Sequence, residues 1–245
     1  MIDALAEGLD VRLATPAAAV EYDELAARVR TSADELLEAD RVIVTVPLGV
    51  LKAGALAFSP PLPVDKLTAL GRLEMGSLEK VVLRFESAFW SAAGEGDLAW
   101  LYLGEARGEF PFIVDITPDA GAPTLVLLHG GARAREQLDV RDDDTLVADA
   151  LLVLERLHGG PIPAPLASHV TRWRSDPWSR GSYSFPALGQ SMEDFDRLAA
   201  PVGDRVLFAG EATSRPYFGT VHGAVHSAIR EAARLGVDGS GLPGV

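Results

Sequence analysis

The sequence predicts a mixed α/β chain (α+β in detail), and three stretches carry the prediction. RVIVTV (41–46) is a β-branched run halted by Pro47 and Gly49, as a buried strand would be. LEKVVLRF (78–85) reads as another strand, with Val81, Val82, Leu83 and Phe85 as its apolar residues. VLFAGEATSRPYFGTVHGAVHSAIREAARL (206–235) joins a short apolar strand to a long helix through a glycine-bearing turn.

Taken in order, residues 2–8 form a short helical end and a strand begins at Asp10–Leu13. Val20–Tyr22 and Ala27–Thr31 read as a hairpin around Asp23-Glu24, and RVIVTV follows. Pro60, Pro61 and Pro63 stiffen a connector before a helix at Asp65–Arg72. After LEKVVLRF come strands near Leu98–Leu103 and Leu125–His129. A helix then opens on Asp142–Asp144, whose charge suits its first turn, and stops at Gly159. A short helix near Glu193–Ala199 precedes the last strand, Arg205–Ala209, and the final helix from Thr220 to Leu235.

Composition removes several function classes. The 245 residues include 22 basic and 35 acidic side chains, a net charge of -13, which argues against a nucleic-acid surface. A negative field mildly favours cationic partners such as amines. With no Cys, thiolate metal sites and cysteine nucleophiles are out. No apolar run reaches the ~18 residues of a membrane span, and the acidic start lacks a signal peptide's basic region. The expectation is a cytoplasmic protein without nucleic-acid or membrane partners.

Candidate chemistry sits in four places. TRWRSDPWSRGSYSF (171–185) holds Trp173, Trp178, Tyr183 and Phe185, and with them half of the chain's 4 tryptophans. Such rings either pack as ordinary core aromatics or wall a ligand. Lys80 is one of three lysines, with Lys52 and Lys66; in an alternating strand a lysine ordinarily faces solvent. His222 and His226 share a helix face, but no HExxH pattern or third ligand accompanies them, so no metal is expected. At the last helix, Gly223 and Ala224 would let a backbone or ligand approach closely, and the free N–H groups would favour an anion or electron-rich ring. A plain strand-to-helix crossover explains the same residues.

Four stretches together resemble the flavin-dependent amine oxidases, the family of monoamine oxidases, polyamine oxidases and lysine-specific histone demethylases. They are ADRVIVTVPLGVLKAG, MGSLEKVVLRFESAFW, TRWRSDPWSRGSYSF and GEATSRPYFGTVHGAVHSAIREA, in family order from Ala39 to Ala232. The likeness is greatest to the histone demethylase and polyamine oxidase branches. One family element is missing, the strand-GxGxxG-helix that holds the FAD diphosphate. GEGDLA (94–99) follows no clear strand and opens no helix, and is rejected. The chain thus resembles only the C-terminal half of such an enzyme.

The resemblance implies a role for each matching residue. Lys80 would hold a water against flavin N5; desolvation, which favours the neutral amine, would let it help take a proton. Tyr183 would be one wall of an aromatic cage for the amine. The opposite wall falls at Thr220, which implies a wider opening. Trp173 and Trp178 would pack near the flavin. Glu211 would reach its ribityl hydroxyls, and Thr220 and Val221 its pyrimidine end. Pro47 and Ala17 would lie near the isoalloxazine and the adenine. Ser182 stands where monoamine oxidases attach flavin through cysteine, so FAD would be non-covalent.

The fold implied is the C-terminal part of a FAD-binding Rossmann-like domain (1–76 and 192–245) plus a substrate domain with a mixed β-sheet flanked by helices (77–191). The activity implied is hydride transfer from a small amine to flavin N5, with O2 as oxidant. Two rivals stay open: a catalytically silent fragment, and an interaction subunit completed by a separate chain carrying the GxGxxG half. A desaturase or protoporphyrinogen-type oxidase is a more distant alternative.

Overall fold

The computed structural model describes residues 2–90, 99–103, 110–131 and 140–237. Most of the rejected GEGDLA stretch, residues 94–98, lies outside the described residues. Two compact units emerge, Met1–Glu74 with Ser184–Val245, and Met75–Tyr183. Sequence reading sets the boundaries at 76 and 191. The second change comes earlier, at Tyr183, because Ser184 donates through both its amide and its hydroxyl to Glu211 of the first unit (3.0 and 2.5 Å).

The first unit opens with α1 (Ile2–Ala6), β1 (Ala17–Tyr22), β2 (Ala27–Thr31) and β3 (Leu36–Ala39). The expected strand at Asp10–Leu13 does not form: Ala14 takes a left-handed φ of 53° and Leu13 is 84% exposed, so that stretch has neither a neighbouring strand nor cover. The β1–β2 hairpin turns at Asp23, whose Oδ1 accepts from Leu25 N and Ala26 N at 2.7 and 3.0 Å. Such local side-chain bonds make Asp a turn residue. Next come β4 (Val42–Val44), α2 (Leu48–Lys52), β5 (Ala57–Ser59) and α3 (Val64–Arg72). RVIVTV therefore yields only three strand residues, because Pro47 at φ -56° and ψ 150° leads straight into α2. The sheet order is β3-β2-β1-β5, with β5 parallel to β1 and the other pairs antiparallel.

The second unit holds β6 (Leu78–Arg84), β7 (Ala99–Leu101), β8 (Phe112–Asp115), α4 (Thr117–Ala120), β9 (Thr124–Gly130), α5 (Asp143–His158) and β10 (Ala167–Val170). Its strand order is β10-β6-β9-β8-β7, and each described pairing is antiparallel. The mixed sheet expected of the substrate domain is thus antiparallel at each described pairing, because its strands join as neighbours without parallel crossovers, and a parallel pairing, β1 with β5, lies in the first unit instead. Asp142 caps α5 by accepting from Thr145 N at 2.8 Å, and Gly159 ends it at a φ of 78°. Leu146, Ala150, Val153 and Leu154 form one helical stripe and are buried. They join Val81, Leu83, Ile113, Leu125 and Leu127 of the sheet in one core. Each such Leu or Ile adds about 1.5–3 kcal/mol relative to an exposed one.

The chain then completes the first unit with α6 (Glu193–Ala199), β11 (Val206–Phe208), a 3-10 turn at Glu211–Thr213, and α7 (Val221–Arg234). β11 runs parallel to β4, Leu207 opposite Ile43, and α6 packs on α3. Among the described residues no helix is long and apolar enough to cross a membrane.

Candidate functional site

In the second unit the strand bearing Lys80 and the aromatic stretch are tied together. Lys80 N donates to Thr171 Oγ1 at 2.9 Å, and Thr171 N donates to Lys80 O at 3.0 Å. Strand alternation decides what faces where. Glu79, Val81 and Leu83 share the buried parity, whereas Leu78, Lys80 and Val82 are only half-buried. Lys80 therefore stands on the face away from the core, and its Nζ donates to Leu78 O at 3.4 Å.

The rings of this stretch are not core residues. Trp173, Trp178 and Tyr183 are 42%, 64% and 40% exposed. Their backbone is nevertheless fixed. Trp173 O accepts from Gly181 N (2.9 Å) and Ser179 Oγ (2.7 Å), Trp178 N donates to Asp176 Oδ1 (2.9 Å), and Tyr183 O accepts from Gly76 N (2.7 Å). A segment that spends its polar groups on its own turns can hold large rings at the surface.

Sequence reasoning missed the residue that organises this region. Glu79 is 1% exposed, and its carboxylate accepts from Thr171 Oγ1 at 2.7 Å, Trp173 N at 3.0 Å and Arg174 N at 3.0 Å. Parity was the available signal, since a carboxylate alternating with Val81, Leu83 and Phe85 must find donors inside.

In the first unit, Glu211 and the start of α7 come together. Besides Ser184, the Glu211 carboxylate accepts from Gly219 N at 2.5 Å, one residue before Thr220. Thr220 caps α7, accepting from Gly223 N at 3.0 Å while its hydroxyl donates to Tyr217 O at 2.6 Å. The first intrahelical bond is Ala224 N to Thr220 O, so the amides of Val221 and His222 lead the helix. The close approach expected at Gly223 is to the chain itself: a Cβ there would meet Tyr217 O at 2.0 Å. His222 and His226 both pack against the Tyr217 ring, with centroids 4.9 and 5.2 Å away. Ala17 begins β1 and Pro47 precedes α2, both exposed.

A second missed residue is Lys66 on α3, which is 3% exposed. Its Nζ donates to Leu198 O (2.5 Å) and Arg197 O (3.2 Å) at the end of α6, and sits 3.8 Å from the Phe208 ring centroid. Burial, reinforced by the nearby Arg230 charge and opposed by Glu231, pulls its pKa down to about 7. Its bonding is that of a cation closing a helix C-terminus.

Comparison with known proteins places this arrangement. Residues 1–236 match the family described as flavin containing amine oxidoreductase. The Arabidopsis thaliana lysine-specific histone demethylase 1 homolog 3 is 40% identical over 96% of the chain, which spans 15% of that protein. The human lysine-specific histone demethylase 2 is 34% identical over 96% of the chain, which spans 29% of it. Among solved structures, a putrescine oxidase bound to putrescine superposes with a TM-score of 0.81 at 27% identity, over 95% of this chain and 50% of that one. A cyclohexylamine oxidase from Brevibacterium oxydans gives 0.74 at 25% identity, over 89% and 47%. The chain thus spans about half of these solved relatives and under a third of those two curated ones. A match over nearly the whole sequence, with the same fold, identifies the chain as a member of the flavin containing amine oxidoreductase family.

Proposed function

We propose that the chain is the C-terminal half of an FAD-dependent amine oxidase acting in the cytoplasm on a small amine. The first unit would hold FAD non-covalently, and the second would present Lys80 and its aromatic rings to the substrate. One observation carries the reading: within this family's fold, Lys80 stands on the face of β6 away from the core while two bonds couple it to the segment bearing Trp173.

The groups of each unit suit this cofactor. Glu211 receives three bonds, and a carboxylate offers about four acceptor positions, leaving one for a ribityl hydroxyl. The leading amides at Val221 and His222 favour negative charge, which suits the pyrimidine end of a reduced flavin. Ala17 and Pro47, both exposed residues, would lie near the adenine and the isoalloxazine. Ser182 provides no thiolate for attachment. The GxGxxG segment is not in this sequence, so we assign the diphosphate to another segment or chain.

When bound, FAD would supply the redox chemistry, as acceptor of the hydride from the C–H beside the substrate nitrogen and as the donor of electrons to O2, with hydrogen peroxide and, after hydrolysis of the imine by water, an aldehyde as the products. The protein orients and dries the reactants. Tyr183 would hold the amine by its ring face. Trp173 and Trp178 would give the flavin flat apolar walls. Thr220, its hydroxyl committed to Tyr217 and Gly223, would act as a small wall rather than a polar contact. Lys80 would hold a water at its Nζ or take a proton there.

The test loads the chain with FAD, alone and beside a chain carrying the GxGxxG segment. It is then mixed without air with putrescine, cyclohexylamine and a methyl-lysine histone peptide. Bleaching of the flavin bands and peroxide on readmitting air are expected, with Lys80→Met slowing the bleaching by about 100-fold. Loss of all bleaching in the unmutated protein would overturn the function; an unchanged rate in Lys80→Met would overturn the lysine's role.

A further inference from the structure

We propose that Glu79 is a positioning residue, fixing where Lys80 and the Trp173 backbone stand relative to one another. The inference rests on the reading of Lys80 given above, but its evidence is the bonding of Glu79 itself. The side chain leaves β6 on the face opposite Lys80 and is 1% exposed. One oxygen accepts from both Thr171 Oγ1 and Trp173 N, and the other accepts from Arg174 N.

Thr171 makes this more than a local staple. The same hydroxyl that donates to Glu79 accepts from Lys80 N at 2.9 Å. A continuous path therefore runs from the Lys80 amide through the Thr171 hydroxyl to the Glu79 carboxylate, and on to the amides of Trp173 and Arg174. Hydroxyls polarised by an ionised acceptor bond more strongly, so the carboxylate firms the link to Lys80 as well as its own contacts. A reacting geometry is sensitive to shifts well below the length of a bond to solvent, so a carboxylate can matter to it without touching substrate.

Amide hydrogen exchange in the full chain reads the path directly. Glu79→Ala should speed exchange at Trp173 and Arg174 by about tenfold or more and also speed it at Lys80. Glu79→Gln keeps the shape and one acceptor oxygen, and should release one of the two loop amides more than the other. Thr171→Val should expose the Lys80 amide and leave Arg174 protected. Unchanged exchange at Trp173 and Arg174 in Glu79→Gln and Glu79→Ala alike would overturn the clamp, and Glu79→Gln serves alone if the alanine variant does not fold. In the FAD-loaded protein, Glu79→Gln should lower kcat by about tenfold with KM within about twofold, because the reacting geometry rather than binding is disturbed. A rise in KM at unchanged kcat would overturn the positioning role. Absence of amine oxidation in the unmutated protein would count against the proposed function alone, since the exchange pattern stands without it.

Discussion

Gly223, in the first turn of α7, faces the Tyr217 carbonyl oxygen so closely that a Cβ at 223 would lie 2.0 Å from it. The contact is with backbone, so no side chain can swing aside. Gly223→Ala must move either the helix start or the 217–220 turn, breaking the Thr220 cap on the way. A loss of about 2–3 kcal/mol is expected, as for overpacking combined with a lost cap. Gly71, inside α3, provides the control because a Cβ there meets nothing within 4 Å. Gly71→Ala should stabilise by about 0.5–1 kcal/mol through helix propensity. Urea titrations of the two variants should move in opposite directions, and a common direction would contradict the contact.

Lys66 predicts how stability depends on pH. Its pKa in the folded chain, about 7, lies below the 10.5 of a free lysine. Between these values the unfolded chain binds the proton more strongly, so stability rises with pH across that window. The contribution is complete above about pH 10.5 and is lost as pH falls towards 7, at up to about 1.4 kcal/mol per pH unit. The difference in unfolding free energy between the native protein and Lys66→Met isolates this one group. That difference should grow in favour of the native side chain from pH 7 to pH 9.5, and a flat difference would show that Lys66 titrates elsewhere.

Glu79 and Lys66 also mark where the sequence was legible. Elements with their own local signals were read well. β6 shows its alternation, α5 has Asp142 at one end and Gly159 at the other, and the Asp23 hairpin carries its turn chemistry. β3 (LLEA) and β10 (ASHV) were not read, because neither alternates cleanly. Each lies at a sheet edge, where pairing with β2 or β6 makes the strand. The charged pair escaped for a related reason. Lys66 shares a helical stripe with Ala69 and Leu70, and Glu79 shares strand parity with Val81. A charge within an apolar period looks like noise until its partners are known, and those partners, one hydroxyl and several backbone groups, lie 92 to 132 residues away.

Arg230 supports the last prediction. Its guanidinium donates to Glu231 Oε1 (2.5 Å), Phe208 O (2.8 Å), Thr213 O (2.8 Å) and Thr213 Oγ1 (3.1 Å), joining α7 to the end of β11 and to the turn holding Glu211. Glu231 is fully buried, and its other ion-pair partner, Arg234, stands 3.2 Å away with half its side chain exposed. Arg230→Met should therefore cost about 3 kcal/mol, mostly by leaving a buried carboxylate with one partly solvated cation and two carbonyls without donors. Arg230→Lys should recover little, because an ammonium cannot reproduce a planar fork shared among four acceptors. Adding Glu231→Gln to Arg230→Met should return about 1–2 kcal/mol, since the carboxamide removes a buried charge left with Arg234 alone and keeps the shape. A double-mutant cycle by urea unfolding measures that coupling. Strict additivity of the two substitutions would mean that Arg230 works through its carbonyl bonds alone.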